Sequence, residues 1–139
     1  MTSIVIYVDT MLEIAQIIAW LIVGTKLSFA ALVAPTVFQV LEPEPAGRFL
    51  RRFFPRLYAF CAGLCLMSAI LFGLSHAVGA AIAMAAIGIL HGVARGPLTR
   101  RINAARDAEL AGDSNAKARF DGLHKLSVRL FSLQLLGVI

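Results

Sequence analysis

Apolar residues fill this chain in long runs, and its charges collect between them. From Ile14 to Leu41 only Lys26 is charged, and from Leu57 to Ala94 there is no Asp, Glu, Lys or Arg. A membrane-crossing helix needs ~20 mostly apolar residues, so the first run predicts a span over about 12–40. Pro35 falls inside it, and proline removes a backbone donor and crowds the preceding turn, which predicts a bend or an end there. The second run is too long for one span and right for two. Gly73, Ser75, His76 and Gly79 supply turn chemistry near its middle, so the spans fall at about 57–74 and 80–96. The last apolar run predicts a fourth span at about 123–139, which at ~1.5 Å per residue reaches only ~26 Å and is short for a crossing.

The fold class this predicts is all-α: a single integral membrane four-helix bundle over residues 1–139. Composition agrees. Hydrophobic residues make up 59% and charged residues 15%, against ~45–50% and ~25% in soluble domains. Two cysteines set aside a disulfide scaffold, and the low charge sets aside a disordered chain. The first residues lack a basic stretch and carry Asp9 and Glu13, so they do not read as a cleavable secretory signal.

Every Lys and Arg except Lys26 lies in one of two segments. Arg48, Arg51, Arg52 and Arg56 precede the second span, and the remainder run from Arg95 to Arg129. A net charge of +5 in a soluble protein would suggest nucleic acid. With its basic residues confined to connectors, this chain is expected to bind none, and the charge reports orientation instead. The positive-inside rule places both connectors in the cytoplasm and both termini outside.

The connectors are themselves patterned. Over 46–57, Arg48, Arg52 and Arg56 share one helical face, and Phe49, Phe53 and Leu57 share another. With Arg51, this predicts an amphipathic helix at the lipid interface, phenylalanines in the bilayer and arginines at anionic headgroups. A second amphipathic connector is predicted over 97–111, with Pro97 in its first turn and a break at Gly112, Asp113 and Ser114. From about Asn115 a further helix should run into the fourth span, packing Phe120, His124, Ser127, Phe131 and Gln134 on the bundle.

Few residues in the spans carry chemistry. Gly88, Gly92 and Gly96 recur every four residues, a spacing that lets membrane helices approach closely. Lys26 stands near the middle of the first span, where a charge costs ~2.5–3.5 kcal/mol on insertion scales. No acid lies in any span to pair with it, and Gln134, Ser28 and Ser68 are the neutral partners at similar depth. His91 and His124 are expected to face inward at one level, a pair that could ligate haem or a metal ion. Lys26, Gln134, His91 and His124 therefore form a candidate intramembrane polar site. Cys61 and Cys65 lie one turn apart and, with a methionine, would suit Cu(I), but Met67 points off their face. No nucleophile with a base, paired carboxylates or phosphate loop is present, so no enzyme and no cofactor are expected.

The string Ala34-Pro35-Thr36-Val37-Phe38-Gln39-Val40-Leu41, with Ala46-Gly47-Arg48 and Phe54-Pro55-Arg56-Leu57-Tyr58, resembles the small four-span membrane family of transmembrane protein 205. Leu123-His124-Lys125-Leu126-Ser127-Val128 is similar to the motif that enters that family's last span. After it the family commonly has a polar residue, where this chain has Arg129 or Phe131. The resemblance implies four spans, no established enzymatic activity and, for bacterial members, the inner (plasma) membrane. The leading expectation is a non-catalytic accessory subunit that packs with other membrane subunits or with itself, surrounded by membrane lipids. The alternatives are transport or ligand handling by a homo-oligomer, and haem or metal binding.

Overall fold

A computed structural model describes the backbone of residues 2–139 and the side chains of residues 5–139. The described residues are all-helical. α1 (Thr2–Ser28) passes through a wide π turn (Phe29–Val33) into α2 (Ala34–Val40). α3 (Pro43–Leu74) and α4 (Val78–Val93) follow, and a second π turn (Ala94–Leu98) leads into α5 (Thr99–Leu110). α6 (Ala116–Leu136) comes last. Three helical segments, Val5–Val40, Pro43–Leu74 and Val78–Leu110, are long and apolar enough to cross a membrane, and they mark the chain as a membrane protein.

These helices run further than the sequence pattern predicts, and the prolines explain how. A helix in hydrocarbon must satisfy its backbone internally. Pro35 has no N–H, and its ring would crowd the carbonyl one turn back. The π turn just before it widens the helix, with the Ala34 N–H bonded to the Phe29 carbonyl. The helix therefore continues to Val40 and does not end near Pro35. Pro97 is absorbed in the same way, and Thr99 bonds back to Ala94. It lies within a continuous rod and does not start a separate connector helix. The arginine-rich connector likewise belongs to α3, which begins at Pro43.

α3 and α4 are joined by a tight turn at Ser75 to Ala77, closed by the Ala77 N–H on the Phe72 carbonyl at 2.8 Å. The left-handed position belongs to His76, at φ 60°, and not to a neighbouring glycine. The break between α5 and α6 falls where the sequence predicts it. Gly112 adopts φ 94° there, and an Asp113 carboxylate oxygen accepts from the Asn115 N–H at 2.9 Å.

The core forms from stripes of helical period. Ala15, Ile18, Ala19, Ile22, Lys26 and Phe29 are the buried line of the first helix. Leu57, Tyr58, Cys61, Leu64, Cys65, Ser68 and Phe72 are that of α3. Met84, Ile87 and His91 continue the pattern on α4. The opposite faces expose large apolar side chains, among them Ile17, Trp20, Leu66, Ile70, Ile82 and Ile89. A soluble fold would hide such faces, whereas a bilayer solvates them. Arg51 joins α3 to α5 through a 2.6 Å ion pair with Asp107.

Candidate functional site

The described polar side chains buried in the core are Lys26, Ser68, His91 and Gln134. Lys26, Ser68 and His91 sit on the buried lines of their helices, so helical periodicity carries them inward alongside apolar neighbours, and Gln134 lies between Phe131 and Val138, which are partly buried against the core. Lys26 is 1% exposed. Its Nζ donates to Gln134 Oε1 at 2.8 Å and lies 4.0 Å from the centroid of the Phe131 ring. The bond joins α1 to α6 across most of the chain, and the ring face adds cation–π attraction. An amide oxygen and an aromatic face thus stand in for the carboxylate that the spans lack.

Phe131 belongs to an aromatic cluster centred on Phe29. Ring centroids from Phe29 lie 5.2 Å from Phe53, 5.0 Å from Phe54 and 6.1 Å from Phe131. Phe54 stacks on Tyr58 at 5.7 Å, and Tyr58 meets His91 edge to face at 6.1 Å. Sequence reasoning missed both Phe29 and Tyr58. Their signal was the stripe itself, because Phe29 follows Lys26 by three residues and Tyr58 precedes Cys61 by three.

His91 is fully buried. Its Nδ1 lies 2.9 Å from the Ile87 carbonyl, so that nitrogen donates and Nε2 carries the lone pair. Cys65 Sγ is 4.0 Å from the same Nδ1. Among the described residues, His91 Nε2 and Gln134 Nε2 are buried with no hydrogen-bond partner. Ser68 does not serve Lys26; its hydroxyl donates to the Ala15 carbonyl at 2.9 Å and pins α3 to α1.

The structure therefore brings Lys26 and Gln134 together and buries His91 in the same core, but it leaves His124 out. His124 is exposed and stacks on Phe120 at 5.8 Å. The reason is that the first turns of α6 lie against α5, where Arg106 reaches the Phe120 ring at 5.4 Å. Among the described residues, no three His, Cys, Asp or Glu side chains are grouped to hold a metal ion. Cys61 and Cys65 are free and buried, while Met67 is exposed.

The glycine stripe separates too. A Cβ on Gly88 would lie 3.2 Å from Cys65 Cβ, so Gly88 permits the close approach of α4 to α3. Gly92 is exposed with nothing within 4 Å of a Cβ, and Gly96 meets only Arg100 at 4.0 Å. Steps of four residues advance by ~40° beyond a full turn, which carries the stripe off the α3 contact.

At the start of α3, Arg48 pairs with Glu44 on its own helix, and Arg56 donates to the Arg52 carbonyl at 2.7 Å. Arg48, Phe49, Arg52, Phe53 and Arg56 border a shallow cleft of about 430 Å³. Phe49 stacks on Phe53 at 5.4 Å.

Residues 17–108 match the model of a family described as a domain of unknown function, DUF4149. No curated protein and no solved structure matches the chain.

Proposed function

We propose a function from the core and the outer surface alone, because the chain belongs to the DUF4149 family, whose description names no activity. The protein is a non-catalytic accessory subunit that packs its apolar helix faces against other membrane helices. The observation that carries this reading is the sealing of the intramembrane charge: Lys26 is 1% exposed and bonded to Gln134. A group closed off in this way holds helices together and offers nothing to a passing solute. The outward surface is apolar, and Gly92 leaves open space between exposed Ile89 and Val93, where a partner helix could come close.

In this reading α6 forms the fourth span of a four-helix bundle. Both termini lie outside and the basic connectors lie in the cytoplasm of a bacterial cell, at its inner membrane. The distribution of Lys and Arg supports the orientation. The strings around Ala34 to Leu41 and Leu123 to Val128 support kinship with the transmembrane protein 205 family. Native mass spectrometry of protein extracted in mild detergent tests the subunit reading. A stable complex with other polypeptides or a second copy is expected, and Gly92→Leu should dissociate it. A wild-type chain that runs alone, or a complex indifferent to Gly92→Leu, would sink the idea.

A second reading, ligand or ion handling by a homo-oligomer, draws on the two buried nitrogens without partners, Gln134 Nε2 and His91 Nε2. It predicts that Lys26→Leu fails to complement a transport defect in a deletion strain; full complementation would remove it. The burial of His91 beside the exposure of His124 gives no support to a shared haem or metal ion.

A further inference from the structure

We infer that the cleft on α3 between Arg48, Phe49, Arg52, Phe53 and Arg56 binds one anionic phospholipid. Its phosphate is held by Arg52 and Arg56, and its acyl chains lie on Phe49 and Phe53. Four-residue spacing sets successive arginines ~6 Å apart along the helix, close enough for neighbouring guanidiniums to share one phosphate. Two nearby acids are already engaged: Glu44 holds Arg48 and Asp107 holds Arg51. Among the described residues, Arg52 and Arg56 have no acidic partner. Arg56 uses one nitrogen on the Arg52 carbonyl and keeps further N–H groups for an anion. Guanidinium forks match phosphate oxygens in bidentate geometry.

The apolar floor decides between a lipid and a free anion. Phe49 stacks on Phe53 at 5.4 Å, and Phe53 stacks on buried Phe29 at 5.2 Å. The floor is thus anchored in the core. A soluble phosphate would use the arginines and leave the rings idle, whereas a phospholipid uses both. The position also fits. Arg56 directly precedes the uncharged run from Leu57 to Ala94, so the cleft lies where headgroup meets hydrocarbon. A surface with dispersed positive charge attracts anionic lipid without choosing a place; a charged rim over a fixed aromatic floor chooses one.

The test is native mass spectrometry of the whole delipidated protein in detergent, offered phosphatidylglycerol, phosphatidylcholine or inorganic phosphate. Wild-type chain is expected to retain one phosphatidylglycerol and no phosphatidylcholine. The pair Arg52→Gln/Arg56→Gln should lower retention on the order of tenfold, while Arg100→Gln/Arg101→Gln, which removes the same charge elsewhere, should leave it unchanged. Phe49→Ser keeps every charge and should weaken retention several-fold, with helical circular dichroism confirming that each variant folds. Four results would overturn the site: equal loss from both arginine pairs, displacement of the lipid by inorganic phosphate, full retention by Phe49→Ser, or an acidic polypeptide lost from the Arg52/Arg56 variant while lipid retention holds.

Discussion

Gln134→Leu takes the hydrogen-bond acceptor from Lys26 and leaves an ammonium that is 1% exposed facing a hydrocarbon side chain. A hydrogen bond to a charged group contributes ~1.5–3 kcal/mol, and hydrogen bonds between membrane helices have measured at ~0.6 kcal/mol on average, up to ~1.7. An uncompensated lysine adds a penalty of up to ~2.5–3.5 kcal/mol at the centre of a span. Lys26 lies about one turn inward of Phe29, which stacks on Phe53 of the cleft, so it bears only part of that penalty, and the Phe131 ring at 4.0 Å offsets some of it. Together these predict a loss of about 2–3 kcal/mol for Gln134→Leu. Lys26→Met strands the buried amide and should cost about 1–3 kcal/mol. The double variant Lys26→Met/Gln134→Leu removes both polar groups at similar volume, and its stability should return close to that of the wild type. Reversible unfolding in lipid bicelles, read by helical circular dichroism, measures all three. If the double variant loses the sum of the single losses to within ~0.5 kcal/mol, the two side chains are not coupled and the clasp is wrong.

Other expectations follow from packing and backbone geometry. Gly88→Val should cost about 1–3 kcal/mol by overpacking, because even a Cβ lies 3.2 Å from Cys65 Cβ. Gly92→Val should leave the unfolding free energy of the isolated chain unchanged to within ~0.5 kcal/mol; equal losses at both positions would refute the separation of the stripe. Gly112→Ala places a side chain at φ 94° and should destabilise the α5–α6 turn by ~1 kcal/mol, visible as faster proteolysis between Glu109 and Lys117. Cys61 and Cys65 are fully buried, so a maleimide should label neither in the folded protein and both after unfolding. Prompt labelling of the native chain would contradict the α1–α3–α4 core.

Much of this architecture was legible in the sequence, because period and charge are local signals. The breaks near His76 and Gly112 follow from turn residues, and Gln134 stood among the neutral groups able to meet Lys26. His124 misled because its spacing from Gln134 placed it on the inward face, whereas the end of α6 on which it sits lies against α5. Spacing along one helix cannot report where that helix leaves its neighbours. The same blindness joined Gly92 to Gly88. The partnership of His91 with Cys65 depends on the register of α4 against α3, which tertiary packing alone determines. At Pro35 a bend and an end were both open, and at Pro97 the continuity of the helix was hidden, since a proline announces an interruption and not the way the chain accommodates it.

The two wide turns at Phe29–Val33 and Ala94–Leu98 have a consequence for how this family can vary. Each is in effect a one-residue insertion, lodged inside an otherwise regular helix. Deleting a single codon there would restore an ordinary helical count and leave everything beyond it in place, so Val37 beyond the first turn and Ala105 beyond the second would keep their buried positions. The same deletion in a regular stretch of helix would rotate everything beyond it by ~100°. The cost of closing a turn falls on its proline, since Pro35 or Pro97 would then sit in ordinary helix. Descent should therefore tolerate the loss of one residue at these turns more readily than elsewhere in the helices, provided the proline is lost with it.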